Sequence, residues 1–318
     1  MLVTGGAGFI GSILVNNLLG NGMRVRILDN LQEGGYSLLN VWNHPKFEAV
    51  IGDITSARVR EQALDGIDTV IHLAAIVGDP ASSRQPERTV DVNLDATRDL
   101  VASAAAGGVK RFVFASTCSN YGVSAPDALV DENAELNPVS VYAETKVAAE
   151  GILLDAAAPN FDTTVLRLST VYGVSPRMRF DLLVNDFTRE GYARKKIVIF
   201  GEQFWRPHIH VADVARAMQL IASTPTESNA PRVFNVGRAD QNFQKQTIAE
   251  MVVAQLPGTE LEFVKKDEDP RSYQVNFDRI REVYGFDLTR TAQDGVAEVA
   301  RLLSGGAITD YDNEIYKN

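Results

Sequence analysis

Short apolar runs alternate with stretches of helical periodicity through the first half of the chain. The runs at residues 1–4, 25–28, 47–51, 69–73, 111–115 and 164–168 read as strands, and helices fill the gaps. Parallel strands need crossover connections and bury both faces, so repeated βα units predict an α/β fold with a doubly wound parallel sheet. Beyond about Arg167 the alternation loosens into a helix over 180–191, a strand over 197–200, a helix over 211–223 and helices around 246–255 and 291–303. The expected division is a sheet domain over 1–168, with contributions from about 207–237, and a smaller α/β lobe over 169–318. The stretch 224–231 reads as a polar loop, and the polar tail after Gly305 is expected to be loosely held.

Composition narrows the class. A chain of 318 residues with 45% hydrophobic content suits an ordinary globular protein. A single cysteine excludes an internal disulfide framework, and no apolar run is long enough for a membrane span. With no export signal at Met1, a cytoplasmic location without membrane attachment is expected. The net charge of -10 repels polyanions, which argues against nucleic acid as a partner. The densest basic stretch, 189–196, sits near a predicted helix end, where cations favour the helix dipole. No metal is expected.

The first strand runs straight into GGAGFIG, which places Gly5, Gly8 and Gly11 at the turn and at the opening of a helix reaching about Leu19. Glycine permits the tight turn and lets backbone N–H groups approach a pyrophosphate, while the helix terminus supplies partial positive charge. Asp29 ends the second strand, where a carboxylate can accept from the ribose hydroxyls of an adenosine and repel a 2′-phosphate. The pattern therefore favours NAD over NADP on a Rossmann domain. Asp53, after the third strand, could border the adenine or simply end its strand.

Tyr142 and Lys146 lie four residues apart in SVYAETKVAAE, a segment of helical composition, so both fall on one helix face. An ordinary tyrosine, with a pKa of about 10, is a poor base near neutrality, but a neighbouring ammonium and an oxidised nicotinamide both favour its phenolate. Such a group can take a proton from a substrate hydroxyl. Tyrosine and lysine share helix faces often, however, and the pair gains weight from Ser116 and Thr117, which end a buried-looking strand where doubly wound sheets present side chains to ligands. Thr117 can donate to the reacting oxygen or satisfy loop backbone.

GGAGFIG, Asp29, HLAA at 72–75, Asn93, STCSNYG at 116–122 and YAETK together resemble the extended short-chain dehydrogenases/reductases, across nearly the whole chain. LRLSTVYG at 166–173, RPHIHVADVARA at 206–217 and FNVG at 234–237 extend the likeness. The resemblance implies NAD held by Gly5, Gly8, Phe9, Ile10, Gly11, Asp29, Asn30, Asp53, Ile54, Leu73, Ala74, Ala75, Asn93, Tyr142 and Lys146. It implies Tyr142 as base, Lys146 on the nicotinamide ribose and Thr117 orienting the substrate hydroxyl. It further implies a nucleotide-sugar substrate contacted by Val77, Ser119, Asn120, Thr170, Arg206 and Arg271, the arginines on the diphosphate. His210 is expected to hydrogen-bond backbone rather than react.

The chain also departs from that family. Its 4,6-dehydratases carry an acid two positions after the threonine, usually with an acid helper between, whereas this chain has Cys118 and Ser119. Serine is a very weak base. Cys118 reads as a buried small residue. Thr170 stands where 4-epimerases typically carry an asparagine, which leaves the identity of the sugar open, and the loop GDPASSRQ at 78–85 is expected to line it. A 4-epimerase cycle needs only oxidation, rotation of the ketosugar and hydride return, so epimerisation is the expected activity. A 4-ketosugar reductase, an atypical dehydratase or a non-catalytic dinucleotide sensor are the alternatives. A homodimer through the helices around 89–106 and 141–156 is expected from the same resemblance.

Overall fold

The computed structural model describes residues 1–125, 128–224, 232–265 and 271–318. The apolar runs form β1 (Leu2–Thr4), β2 (Val25–Asp29), β3 (Phe47–Ile51), β4 (Thr69–His72) and β5 (Arg111–Thr117). They continue as β6 (Leu129–Val130), β7 (Asp162–Leu168), β8 (Thr170–Tyr172), β9 (Lys196–Phe200), β10 (Trp205–His210), β11 (Val233–Val236), β12 (Asn242–Gln244), β13 (Glu260–Val264) and β14 (Gln274–Val275). A seven-stranded sheet takes the order β11-β7-β5-β4-β1-β2-β3, with every pairing parallel. It is a doubly wound α/β sheet.

The helices are α1 (Gly11–Gly20), α2 (Ala57–Leu64), α3 (Asp79–Arg84), α4 (Pro86–Val90), α5 (Ala96–Ala106) and α6 (Val141–Ala156). After them come α7 (Leu183–Ala193), α8 (Val211–Ser223), α9 (Lys245–Gln255), α10 (Asp278–Tyr284) and α11 (Ala292–Ser304). Because side chains alternate across a strand, each strand feeds two cores. Val3, Ile27, Val113 and Leu166 pack with α1 and α8, while Leu2, Leu28, Phe112, Phe114 and Val165 pack with α5 and α6. This two-sided burial explains why the strands read as unbroken apolar runs.

The remaining strands form smaller sheets, β12-β10-β8, β13-β9 and β14-β6. A third core, including Tyr172, Val184, Phe187, Ile197, Ile248 and Val296, joins β8 and β9 to α7, α9 and α11. Among the described residues no helix is long and apolar enough to cross a membrane.

Three local readings differ in the structure. The helix expected over 180–191 begins at Leu183, because Phe180 is buried against Tyr316 and Asp181 is forked by Arg179 at 2.9 and 2.6 Å. The helix over 89–106 is present but starts at Pro86 and is not regular: a π-helical turn at Asp91–Asp95 joins α4 to α5. The tail is held: Phe180 N donates to Tyr316 O at 2.8 Å, Arg177 to Lys317 O at 2.9 Å and Arg84 to Asn318 O at 2.9 Å. The basic stretch does lie at the end of α7, where Asp186, Glu190, Asp312 and Glu262 pair with its cations. The polar loop read at 224–231 lies, past Thr224, outside the described residues.

Candidate active site

The glycine turn is shaped by exclusion. Gly5 has φ +70°, and a Cβ there would stand 2.8 Å from Ala74 N; one on Gly11 would stand 2.2 Å from Gly5 O. Only glycine fits either place. The first turn of α1 carries no side-chain cap and no acid, so its amides remain able to bind an anion. Asp29 anchors the other end of this cradle, accepting from Ala7 N and Leu31 N at 2.9 Å each. Burial raises its pKa, and those two backbone bonds oppose the rise. Each oxygen keeps a lone pair for a ribose hydroxyl. The cradle and its acid fit a dinucleotide.

Beneath the turn runs a closed chain of hydrogen bonds. Thr4 Oγ1 accepts from Leu73 N and Ala74 N at 3.2 Å, so its own proton goes to His72 Nδ1 at 2.6 Å. His72 Nε2 then donates to Thr97 at 2.9 Å, and Thr97 to Asn93 O at 2.8 Å. Burial, with help from Lys146, lowers the His72 pKa to about 3, so the ring is neutral. Asn93 faces inward from the π turn, accepting from Ile76 N at 2.8 Å and donating to Ile76 O at 2.9 Å. It shapes the 73–77 loop through that backbone. Ile54 is buried, whereas Asn30 is exposed and caps Gln32 N.

Asp53 is engaged by Thr55, whose amide and hydroxyl donate at 2.9 and 2.7 Å, and by Arg88. Burial works against its ionised form, but the Thr55 bonds and Arg88 together hold its carboxyl below the usual range. Arg88 was not anticipated at this position.

The reacting end is assembled by β5 and α6. Ser140 caps α6, accepting from Ala143 N at 3.3 Å, and fixes Tyr142 in the first turn. The Thr117 side chain lies close enough to the Tyr142 hydroxyl to favour its ionised form. Lys146 Nζ, one turn on, donates to Ala115 O at 2.9 Å and sits 4.6 Å from the Phe114 ring. Burial lowers the Lys146 pKa to about 7, with Glu150 opposing.

The acidic phenol expected from the lysine is not a property of the chain alone. Burial and the nearby Asp79 push the Tyr142 pKa up to about 12, against Arg179, Thr117 and Arg271. A buried lysine whose pKa falls to about 7 is only partly charged near neutrality.

The side facing the second half of the chain holds Ser119, Arg206, Arg271 and a phenol that spacing did not reveal, Tyr273. Tyr273 is buried, its hydroxyl 3.5 Å from Ser119 Oγ and its ring under the Arg206 guanidinium at 5.2 Å. Arg206 donates to Trp205 O at 2.8 Å and to Arg271 O, while Arg271 pairs with Asp79 at 2.6 Å. Val77 is half-buried on the adjoining loop, and Thr170 lies on β8 opposite His208. Phe9 and Ile10 flank the glycine turn, with Phe9 O accepting from Ser175 at 2.6 Å.

Asn120 is elsewhere. It is fully buried beneath the site, donating to Ser116 at 3.1 Å and Glu150 at 2.8 Å, in a network that Arg167 closes on Glu150 at 2.7 Å. Cys118 is buried too, its thiol pKa raised chiefly by burial, and His210 accepts from Ala212 N at 3.1 Å and meets Glu298 at 2.7 Å.

The sequence model of the NAD dependent epimerase/dehydratase family matches residues 1–237. The dTDP-glucose 4,6-dehydratase of Streptomyces griseus is 32% identical over 311 residues, 93% of this chain and 92% of that protein. The 3 beta-hydroxysteroid dehydrogenase/Delta 5-->4-isomerase of Mycobacterium tuberculosis is 35% identical over 57% of this chain; the chain spans about half (49%) of its length. Among solved structures, UDP-glucose 4-epimerase of Thermotoga maritima, with UDP-glucose, superposes with a TM-score of 0.84 at 26% identity, covering 96% of this chain and 99% of that one.

Proposed function

The chain belongs to the NAD-dependent epimerase/dehydratase family, and on that premise we propose that it is an NAD-dependent epimerase of a nucleotide-activated sugar, acting through a transient 4-ketosugar. The observation that carries the reading is the 2.9 Å bond from Lys146 to Ala115 O, which fixes the helix of Tyr142 against the strand that ends in Thr117, with no acid at the two positions after Thr117. Residues 1–168, with 207–237, hold NAD, and 169–318 hold most of the nucleotide sugar. The nicotinamide, when bound, supplies reversible hydride exchange with the sugar.

In this reading Thr117 orients the sugar hydroxyl toward Tyr142, and the Tyr142 oxygen takes its proton and later returns it. Burial and the Asp79 charge hold the Tyr142 phenol neutral, and a positive charge bound beside it would favour its ionised form. Lys146 would hold the nicotinamide ribose, and it keeps the α6 face fixed on β5. Arg206 and Arg271 suit a diphosphate, because a planar guanidinium can fork two phosphate oxygens. Ser119 cannot remove a proton from sugar carbon 5, which separates this reading from standard 4,6-elimination.

The second reading is an atypical dehydratase, favoured by the 32% identity to the Streptomyces griseus enzyme along its length. Incubation with UDP-, dTDP-, GDP- and CDP-hexoses, followed by NMR and cofactor absorbance together, distinguishes them. Epimerisation gives a C4 diastereomer with no net NADH change, whereas a 4-keto-6-deoxy product would overturn it. α5 and α6 are the proposed homodimer face.

A further inference from the structure

The loop that opens α3 carries a carboxylate that the proton relay does not use. Gly78 turns the chain at φ +91° and sets Asp79 at the start of α3, which packs on α6, the helix of Tyr142. Asp79 Oδ2 is held by Arg271 Nη2 at 2.6 Å, an ion pair between the two halves of the chain. Its Oδ1 is buried and has no hydrogen-bond partner. A buried carboxylate oxygen without a donor is costly, and native structures retain one where a ligand or water completes it. Because α3 packs on α6, the Asp79 charge is felt at the Tyr142 hydroxyl, which sits in the first turn of that helix.

We propose that Asp79 is a specificity-determining residue of the sugar pocket: Oδ1 accepts a hydroxyl of a neutral pyranose while Arg271 fixes Oδ2, and a uronic acid is disfavoured at the same place. The inference rests on the nucleotide-sugar reading and deepens it. A neutral hexose brings a donor to the bare oxygen. A uronate brings a second carboxylate with no proton to share, so like charges meet in a partly desolvated pocket.

The test is calorimetric titration of the NAD-loaded full chain, wild type, Asp79→Asn and Asp79→Ala. The probes are the best-bound of UDP, dTDP, GDP and CDP, used as free diphosphate, as glucose conjugate and as glucuronic acid conjugate. The expected result is about 10-fold or greater preference of wild type for the glucose conjugate, collapsing toward parity in both variants, with free diphosphate affinity kept within about 2-fold. Equal or tighter wild-type binding of the glucuronic acid conjugate overturns the assignment. So does an equal loss for free diphosphate and glucose conjugate, which would mean that Asp79 acts only through Arg271. If none of the four diphosphates binds wild type, the nucleotide-sugar reading itself fails, a result distinct from intact diphosphate binding without sugar discrimination.

Discussion

Lys146 Nζ donates a 2.9 Å hydrogen bond to the carbonyl of Ala115, which ties the helix bearing Tyr142 to the strand that ends in Thr117. The lysine is buried, and its pKa is lowered from 10.5 to about 7. Its charged form therefore weakens the fold: the penalty is full below pH 7 and fades as pH rises toward 10.5, where the unfolded chain also releases the proton. Lys146→Met should abolish most turnover yet raise cofactor-free stability at pH 7 by about 1 kcal/mol, since function and stability conflict at buried charges. Chemical denaturation at pH 7 and pH 10 checks this; a stability loss of similar size at both would assign the lysine a purely structural role.

Tyr142→Phe removes the hydroxyl and leaves the ring in place. NAD binding and the unfolding midpoint should stay near wild type, while turnover falls by about 10²–10⁴-fold, the scale of a lost proton relay. Steady-state rates on the best nucleotide sugar measure it, and an undiminished rate would remove the tyrosine from the mechanism.

Asp29 does two jobs, holding Ala7 N and Leu31 N while keeping acceptor capacity toward a ribose. Asp29→Ala leaves two amides unpaired at about 1–3 kcal/mol each, whereas Asp29→Asn still accepts from one of them and is the milder probe of selectivity. It should weaken NAD binding and relax discrimination against NADP, each by about 10-fold. Fluorescence titration with both cofactors checks it; an unchanged preference would place selectivity elsewhere.

His72 and His208 are buried, with pKa values lowered by burial to about 3 and about 4. Their neutral forms support the fold above pH 6.5, and that support is lost as pH falls through 6.5 toward those values, because the unfolded chain takes up protons first. Stability should fall between pH 6 and pH 4.5 with a slope approaching about 1.4 kcal/mol per pH unit for each ring. His72→Asn should remove one ring's share. Denaturation curves across that range report the slope, and identical slopes in the two proteins would contradict the neutral assignment.

The glycine turn, Asp29 and the Tyr142–Lys146 face were legible because each is written within one βα unit or one helix, where local geometry fixes which side chains share a face. Even there the expected acidity of the phenol did not follow, since pKa depends on burial and on charges brought in from other segments. Asn93 turns inward on a π turn that apolar spacing does not mark, and Asn120 falls beneath the site rather than in it.

By itself the sequence determined the doubly wound sheet, through apolar runs buried on two faces, and the shape of the dinucleotide cradle, through glycines that no other residue can replace. Only the tertiary structure brought Asp79 to Arg271, Tyr273 to Ser119 and Tyr316 to Phe180. Those partners lie far apart along the chain, and long-range contact carries no period for a sequence to display; it is set by how helices and strands stack once their apolar faces are buried.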